Sequence, residues 1–441
     1  IMEIEEIHQM NVKIAFLGGA REVGASAVEV TANGESILLD FGVRLRSENP
    51  LPLIINGDKL KAAIITHAHL DHSGAIPFLA KKYPHVKIIS SDLTMELFKI
   101  LINDMLNLYR KRYPFGFKDA KKAYKKAKRI AFYETYVLND FQIELLHAGH
   151  IPGSGSIYLT IDKDLKIWYS GDINTYRTLL LNPASKIIPE SDIIIIESTY
   201  ALRNHPPRED VEREFIESLK ECIERGGIAL VPAFSVARAQ EVLSILTKYN
   251  FPYPIVLDGM ARRISEIILR YPEYIRDVAL YKKAINRAYW IEDPKERKHM
   301  IVEPKVIVSP AGMLQGGSAE YYAKHIYSDE NSGIFLVGYQ IPGTSGYRLL
   351  NERKIRVGNK LKKVKAEIKS FELSSHTDRR HLFEMLKKVN GSPLVFVMHG
   401  DPESCIQFAY DIKNEIGLNA IAPQNGQFFS ISKGVLQGDL Q

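Results

Sequence analysis

The amino-acid sequence predicts an α/β protein of two to three domains, and three observations carry that expectation. The chain has 441 residues, which suits two to three units at roughly 100–200 residues each. Up to Ser198 it reads mainly as strands that end at polar or glycine turns. From Arg208 onward strands and helices alternate, the pattern of a parallel α/β domain. Hydrophobic residues make up 45% and charged residues 25%, values that exclude wholesale disorder, collagen and coiled coil.

The strands follow in order. VKIAFLGG, SAVEVTA and ESILLDFG alternate or run apolar, and LKAAIITH is a short β-branched run typical of a buried strand. PHVKIISSD is another, followed by a helical region over about Leu93–Ile130, broken near Pro114 and Gly116. FQIELLHAGH, SIYLTIDK, LKIWYSGD and SDIIIIES are again strands that end in polar residues. The segment EDVEREFIESLKECIERGG is an amphipathic helix with a glycine stop. IALVPAF, YPIVLDG, KVIVSPAGM, IFLVGYQ and PLVFVMHG are later strands, and ARAQEVLSILTKY and ARRISEIILRYP are helices. No internal repeat or low-complexity tract interrupts them.

The formal charge is +6, which says little as a total. By position it says more. Between Arg110 and Arg129 there are ten basic residues and one acid, Asp119, so this segment carries +9 and the remainder sums to −3. Lys118, Lys122, Lys125 and Arg129 recur at helical spacing, as a solvated face or as an electrostatic guide for a polyanion. A second basic cluster, Lys360 to Lys369, is less dense. No apolar run approaches the roughly 20 residues of a membrane span. The N-terminal segment lacks the basic and apolar regions of a secretory leader. Two cysteines, Cys222 and Cys405, make neither a disulfide framework nor a thiolate zinc site. These features fit a reducing, cytoplasmic setting.

The strongest chemical signal is Thr66-His67-Ala68-His69-Leu70-Asp71-His72, where the LKAAIITH strand ends. Three imidazoles and a carboxylate on one turn make a metal-ligand arrangement, suited to Zn²⁺ and crowded enough for two ions. His150, Asp172 and His399 also sit at strand ends, each an ordinary turn residue by itself.

These motifs resemble a known family. HAHLDH, HAGH and YSGD resemble the metal-binding motifs of the metallo-β-lactamase fold, and GGAREVG the glycine-rich opening of its nucleic-acid-processing branch. IESTY, SSHTD and VMHGD, with PAFSVARAQE, SPAGMLQGG and GYQIPGT between them, resemble the β-CASP nucleases over nearly the whole chain. The resemblance is greatest to RNA-cleaving members, the archaeal cleavage-and-polyadenylation type and RNase J. It implies an αββα metallo-β-lactamase sandwich from residues 1–201 and 371–441, with an inserted α/β β-CASP domain over 202–370. The active site is then expected in the cleft between the domains.

The resemblance also implies roles. His67, His69 and His150 would hold one Zn²⁺, Asp71, His72 and His399 a second, and Asp172 would bridge the two. Water activated between two Zn²⁺ ions would attack phosphorus in line. His376 would be the general acid, held by Glu197, and Asp71 is counted with them among the catalytic residues. Asp378 either supports the site or caps a helix. From the residues themselves, Ser309 and Gly312 at a strand end could present backbone N–H groups to phosphate and Gln340 and Thr344 in a glycine-rich loop could contact the RNA backbone, or these are only turns between packed elements; Arg238 would bind phosphate or brace a domain interface. The expected partner is single-stranded RNA, with no membrane and with a homodimer left open. Endonucleolytic and 5′→3′ exonucleolytic modes share this metal set. His at position 399 favours RNA over the DNA-directed branch, which usually has an apolar residue there. A small-molecule hydrolase of the same fold would lack the β-CASP motifs, and a non-catalytic scaffold would lack ligands. No extra RNA-binding module is expected before Asn11, and no long tail after Gln427.

Overall fold

A computed structural model describes residues 11–438 apart from 46, 54, 433 and 434. The segment Ile1–Met10, read above for a leader, lies outside the described residues, as does the side chain of Arg110. In chain order the strands are β1 (Asn11–Gly18), β2 (Ala27–Ala32), β3 (Glu35–Leu39), β4 (Leu60–Ile64), β5 (Lys87–Ser90), β6 (Lys128–Arg129), β7 (Tyr136–Leu138), β8 (Phe141–His147), β9 (Gly155–Ile161), β10 (Leu165–Tyr169) and β11 (Ile193–Glu197). There follow β12 (Ala229–Pro232), β13 (Ile255–Leu257), β14 (Tyr289–Trp290), β15 (Val306–Ser309), β16 (Gly333–Leu336), β17 (Lys354–Val357), β18 (Lys360–Lys363) and β19 (Glu367–Ser370). The last are β20 (Leu394–Met398), β21 (Ala420–Ile421), β22 (Phe428–Ser432) and β23 (Val435–Gly438).

The chain forms two compact units. The first takes the residues up to Thr175, then Pro183–Asn204, then those from His376 onward; the second takes Tyr176–Asn182 and His205–Ser375. In the first unit an eight-stranded sheet has the order β23-β22-β1-β2-β3-β4-β5-β6, and a seven-stranded sheet the order β21-β20-β11-β10-β9-β8-β7. Alternate residues of both sheets, among them Ile14, Phe16, Val28, Ile143, Leu159 and Phe396, meet in one core, as expected of a sandwich. Ile194, Ile196, Val395 and Val397 point the other way, onto the helices Arg379–Lys387 and Pro402–Asp411. The strands β11 and β20 are thus buried on both faces, which is why both read as unbroken apolar runs. This unit is the αββα sandwich.

The second unit is a six-stranded, all-parallel sheet with the order β14-β13-β15-β12-β16-β19. Its helices cover both faces. The helices Arg208–Glu224 and Arg238–Lys248 pack on one, Gly317–Ile326 and Ser345–Glu352 on the other. A separate antiparallel hairpin, β17–β18, is attached to it. No helix among the described residues is long and apolar enough to cross a membrane.

The region expected to be helical over about Leu93–Ile130 differs in its last part. Helices span Asp92–Tyr109 and Phe117–Lys126, but Lys128 and Arg129 form β6 and pair in parallel with β5. Arg129 is therefore not on the helix face with Lys118, Lys122 and Lys125. Its guanidinium pairs with Glu96 at 2.9 Å, and Lys126 donates to the carbonyl of Val86 at 2.7 Å. Part of that basic run is spent inside the protein.

Two glycines bring the loops together. A Cβ at Gly42 would lie 1.7 Å from the carbonyl oxygen of Asp71 and 2.6 Å from the nitrogen of His72. Gly171 has φ +53°, and a Cβ there would meet the Thr66 side chain at 2.8 Å. Gly42→Ala is expected to destabilise the fold by about 2 kcal/mol or more, because backbone rather than a movable side chain must give way. A lowered urea midpoint would show it, and an unchanged midpoint would refute the close approach.

Candidate metal centre

Each of the motif residues sits where a strand of the first unit ends. His67 and His69 follow β4, and the short helix Leu70–Ser73 carries Asp71 and His72. His150 lies in the turn between β8 and β9, Asp172 follows β10, Glu197 ends β11, and His399 follows β20. His376 precedes the helix Arg379–Lys387, whose N-cap is Asp378, with its carboxylate accepting from the nitrogen of His381. Asp378 is fully buried and its carboxylate caps this helix.

The side chains converge in two groups. One atom each of His67, His69, His150 and Asp172 lie within 4.8 Å of one another, as do one each of Asp71, His72 and His399. The groups abut through Asp172, whose Oδ2 is 3.5 Å from Nε2 of both His67 and His150, and whose Oδ1 is 3.3 Å from His72 Nε2. His72 Nε2 and His399 Nε2 face each other at 3.1 Å, and His150 Nε2 and His69 Nδ1 at 3.2 Å. Pairs of ring nitrogens aimed at one point are what shared cations require. Among the described residues, His67 Nε2 and Asp172 Oδ1 are buried without a hydrogen-bond partner. Buried polar atoms are rarely left so, and donor set and orphaned atoms together fit a divalent metal pair.

The electrostatics point the same way. Burial pushes the His67 imidazole well down and His69 down to about 4, so both rings keep their lone pairs. Burial opposes the charge on Asp172 and Asp71, but the imidazoles of His72 and His399 win and hold both carboxyls well below the usual range. Burial likewise opposes protonation of His72 and His399, and the same carboxylates override it and raise both. The buried acids thus demand positive charge beside them, which a divalent cation would supply in place of those protons.

A second layer orients the donors, and sequence reasoning missed it. Asp40 Oδ2 lies 2.7 Å from His72 Nδ1, which fixes that ring's tautomer and leaves Nε2 for a metal. Asp40 also accepts from the Thr66 nitrogen and hydroxyl and from the Tyr169 hydroxyl. Thr66 Oγ1 in turn holds His67 Nδ1 at 2.9 Å. Asp40 has φ +60° and His399 φ +51°, rarely adopted conformations that cost of order 1–3 kcal/mol and cluster at functional sites. The one available signal was Asp40 closing ESILLDFG, which looks like any turn. Beside the metal cluster, His376 Nδ1 is 2.9 Å from Glu197 Oε2, and the nitrogen of Ile173 donates to Glu197 Oε1 at 2.7 Å. Glu197 is buried, and His376 keeps some exposure.

The residues expected to touch RNA lie in the second unit. Ser309 is fully buried, its hydroxyl 2.5 Å from that of Ser318. Gln340 donates to the carbonyls of Gly312 and Gly338, and Thr344 caps the helix Ser345–Glu352. Arg238 donates to Ser375 Oγ at 3.0 Å. These side chains hold loops together, and Gly312 lies against the backbone of Phe234.

Models of three families match the chain: the metallo-beta-lactamase superfamily over residues 20–225, the Beta-Casp domain over 239–349, and the Zn-dependent metallo-hydrolase RNA specificity domain over 362–423. RNase aCSPSF2 of Saccharolobus solfataricus is 39% identical over 429 residues, covering 97% of this chain and 87% of that one. The chain belongs to the β-CASP family of the metallo-β-lactamase superfamily. It is a metal-dependent hydrolase. Probable RNase MJ4 of Methanocaldococcus jannaschii is 36% identical over 428 residues, 94% of this chain and 99% of its own. The transcription termination factor FttA of Pyrococcus abyssi is 33% identical over 462 residues, 94% of this chain and 70% of its own. A crystal structure of a protein of unknown function from Enterococcus faecalis V583 superimposes with a TM-score of 0.58 at 15% identity, covering 96% of this chain and 100% of that one, and shares the fold.

In this β-CASP hydrolase, Asp40→Ala should lower divalent-metal affinity by about 10–100-fold, the usual effect of losing a partner that orients a ligand. Tyr169→Phe keeps the Asp40–His72 bond and should change affinity much less. Competition with a chromogenic chelator measures both. Equal losses, or none, would remove the orienting role of Asp40.

Proposed function

We propose that the protein is a zinc-dependent ribonuclease that hydrolyses phosphodiester bonds of single-stranded RNA, as an endonuclease, a 5′→3′ exonuclease or both. The observation that carries this is the shared Asp172 between two donor groups, with the His376–Glu197 pair beside them. The names of the relatives, RNase aCSPSF2 and probable RNase MJ4, support the same reaction. His67, His69, His150 and Asp172 would hold one Zn²⁺, and Asp71, His72, His399 and Asp172 the other. Bound there, the two ions activate water as the nucleophile and offset charge on the phosphoryl oxygens.

The protein's own groups do the rest. Glu197 accepts from His376 Nδ1, so His376 is held with Nε2 as the atom that carries the proton to the leaving 3′ oxygen. The nitrogen of Ile173 fixes Glu197 in turn, so the carboxylate orients the ring without becoming the proton carrier. Asp40 and Thr66 keep the His72 and His67 rings turned to the metal side. The products are a 5′-phosphate and a 3′-hydroxyl.

Incubation with 5′-labelled and 3′-labelled single-stranded RNA, with and without a chelator, tests this reading. Metal-sensitive cleavage with those end groups is expected. Mononucleotides from the 5′ end would mark the exonucleolytic mode and internal fragments the endonucleolytic one. No cleavage by protein with intact zinc content would defeat the reading. His376→Ala should cut the rate by about 100-fold or more and keep its zinc, since general acids contribute about 10²–10⁴-fold. Zinc loss in that variant would make His376 a ligand.

A further inference from the structure

The β17–β18 hairpin of the second unit carries a charge density that the metal centre does not use. Residues Arg353 to Lys365 read RKIRVGNKLKKVK, with seven basic residues and no acid. The segment therefore carries +7. Together with the +9 of Arg110–Arg129 this leaves 6 − 9 − 7 = −10 for the rest of the chain. Both basic segments spend part of their charge on protein partners. In the first, Arg129 pairs with Glu96 and Lys126 binds a backbone carbonyl. In the hairpin, Arg353 donates to the carbonyl of Ala366 and Lys365 lies 3.6 Å from exposed Glu330. Lys354, Arg356, Lys360, Lys362 and Lys363 are all exposed. Among the described residues none of these five has an ion pair or a side-chain hydrogen bond.

Register decides where the charges point. In the antiparallel pair, Lys354 is opposite Lys363, Ile355 opposite Lys362, Arg356 opposite Leu361, and Val357 opposite Lys360. Ile355 is buried in the core of this unit, so Lys354, Arg356, Leu361 and Lys363 share the face directed away from it. Lys354 and Lys363 are thus like charges directly opposite, an arrangement that destabilises a strand pair. A bound polyanion would relieve that repulsion.

We propose that this face of the hairpin is a phosphate-backbone contact for single-stranded RNA, a site that holds the strand without taking part in the chemistry. The proposal rests on the ribonuclease reading for the identity of the polyanion. Contacts of this kind release condensed counterions, so they make binding depend on salt and carry no sequence information. The competing explanation is that lysines on an exposed edge merely prevent pairing with other chains.

Fluorescence anisotropy of the zinc-loaded, full-length protein with a 2′-O-methyl oligoribonucleotide, which resists hydrolysis, separates the two across a salt series. The triple variant K354Q/R356Q/K363Q should bind about tenfold more weakly at low salt. Its slope of log affinity against log salt should fall by about 2, from roughly 0.7 per lost contact on a single strand. K354R/K363R should bind like the unaltered protein. Zinc content and hydrolysis of bis-p-nitrophenyl phosphate should be unchanged in all variants, which reports an intact metal centre. An unchanged slope, with or without aggregation of the triple variant, would overturn the proposal in favour of edge protection. Equal competition by polyglutamate would overturn it in favour of an acidic protein partner. If the unaltered protein binds with the predicted slope and cleaves no RNA, the ribonuclease reading fails and the hairpin contact stands.

Discussion

The parallel pairing of β11 with β20 is the constraint on which the first unit depends. Ile193 pairs with Leu394 and Glu197 with Met398, although about two hundred residues separate the partners in sequence. That register sets Glu197 beside the turn that carries His399, and the nitrogen of Ser198 donates to the His399 carbonyl. Parallel strands cannot be joined by a tight turn, so a long connection between them is obligatory. The second unit occupies that connection. Four consecutive isoleucines and the run Leu394–Met398 bury both faces of the pair, each side chain contributing about 1.5–3 kcal/mol. This burial closes the chain's last part against its first.

On that frame the candidate metal residues gather from four strand ends. Their mutual electrostatics are costly without a cation, because Asp172 is a charged group taken out of water. The surrounding imidazoles offset part of the cost, with protons on His72 and His399. The positive φ values at Asp40 and His399 belong to the same economy, since backbone strain persists only where packing over-determines it. The glycines before and opposite the ligands make that packing tight enough. Gly42 lies against the backbone of Asp71, and Gly171 against Thr66. The consequence is a tightly packed centre whose candidate ligands are already held in place, suited to chemistry that needs fixed positions.

The remaining parts divide between bracing and reach. Gln340, Thr344, Ser309 and Arg238 each make hydrogen bonds within the second unit, while Gln340 Oε1 is buried without one. Polar residues after a strand can serve bracing and substrate contact alike. The exposed hairpin carries five cations that, among the described residues, have no ion pair or side-chain hydrogen bond. The distinction between these uses lies in partners, not in residue type.

By itself the sequence determined the α/β class, the αββα sandwich and the family, and it singled out seven side chains that lie together in the first unit. It could do so because ligand spacing within HAHLDH is local, and because buried parallel strands leave unmistakable apolar runs. Only the tertiary structure decided how those ligands are held. Asp40 is one acid at the end of one strand, and its role exists only because β3 lies beside β4, with Leu39 opposite Ile64. Arg129 followed the helical period of its neighbours, yet pairing with β5 turned it to Glu96. Lys354 and Lys363 are nine positions apart, and only the hairpin register makes them face each other. Sequence reports what a residue can donate or accept. Which partner takes it up is settled by chain segments distant in sequence, through packing that no local pattern encodes.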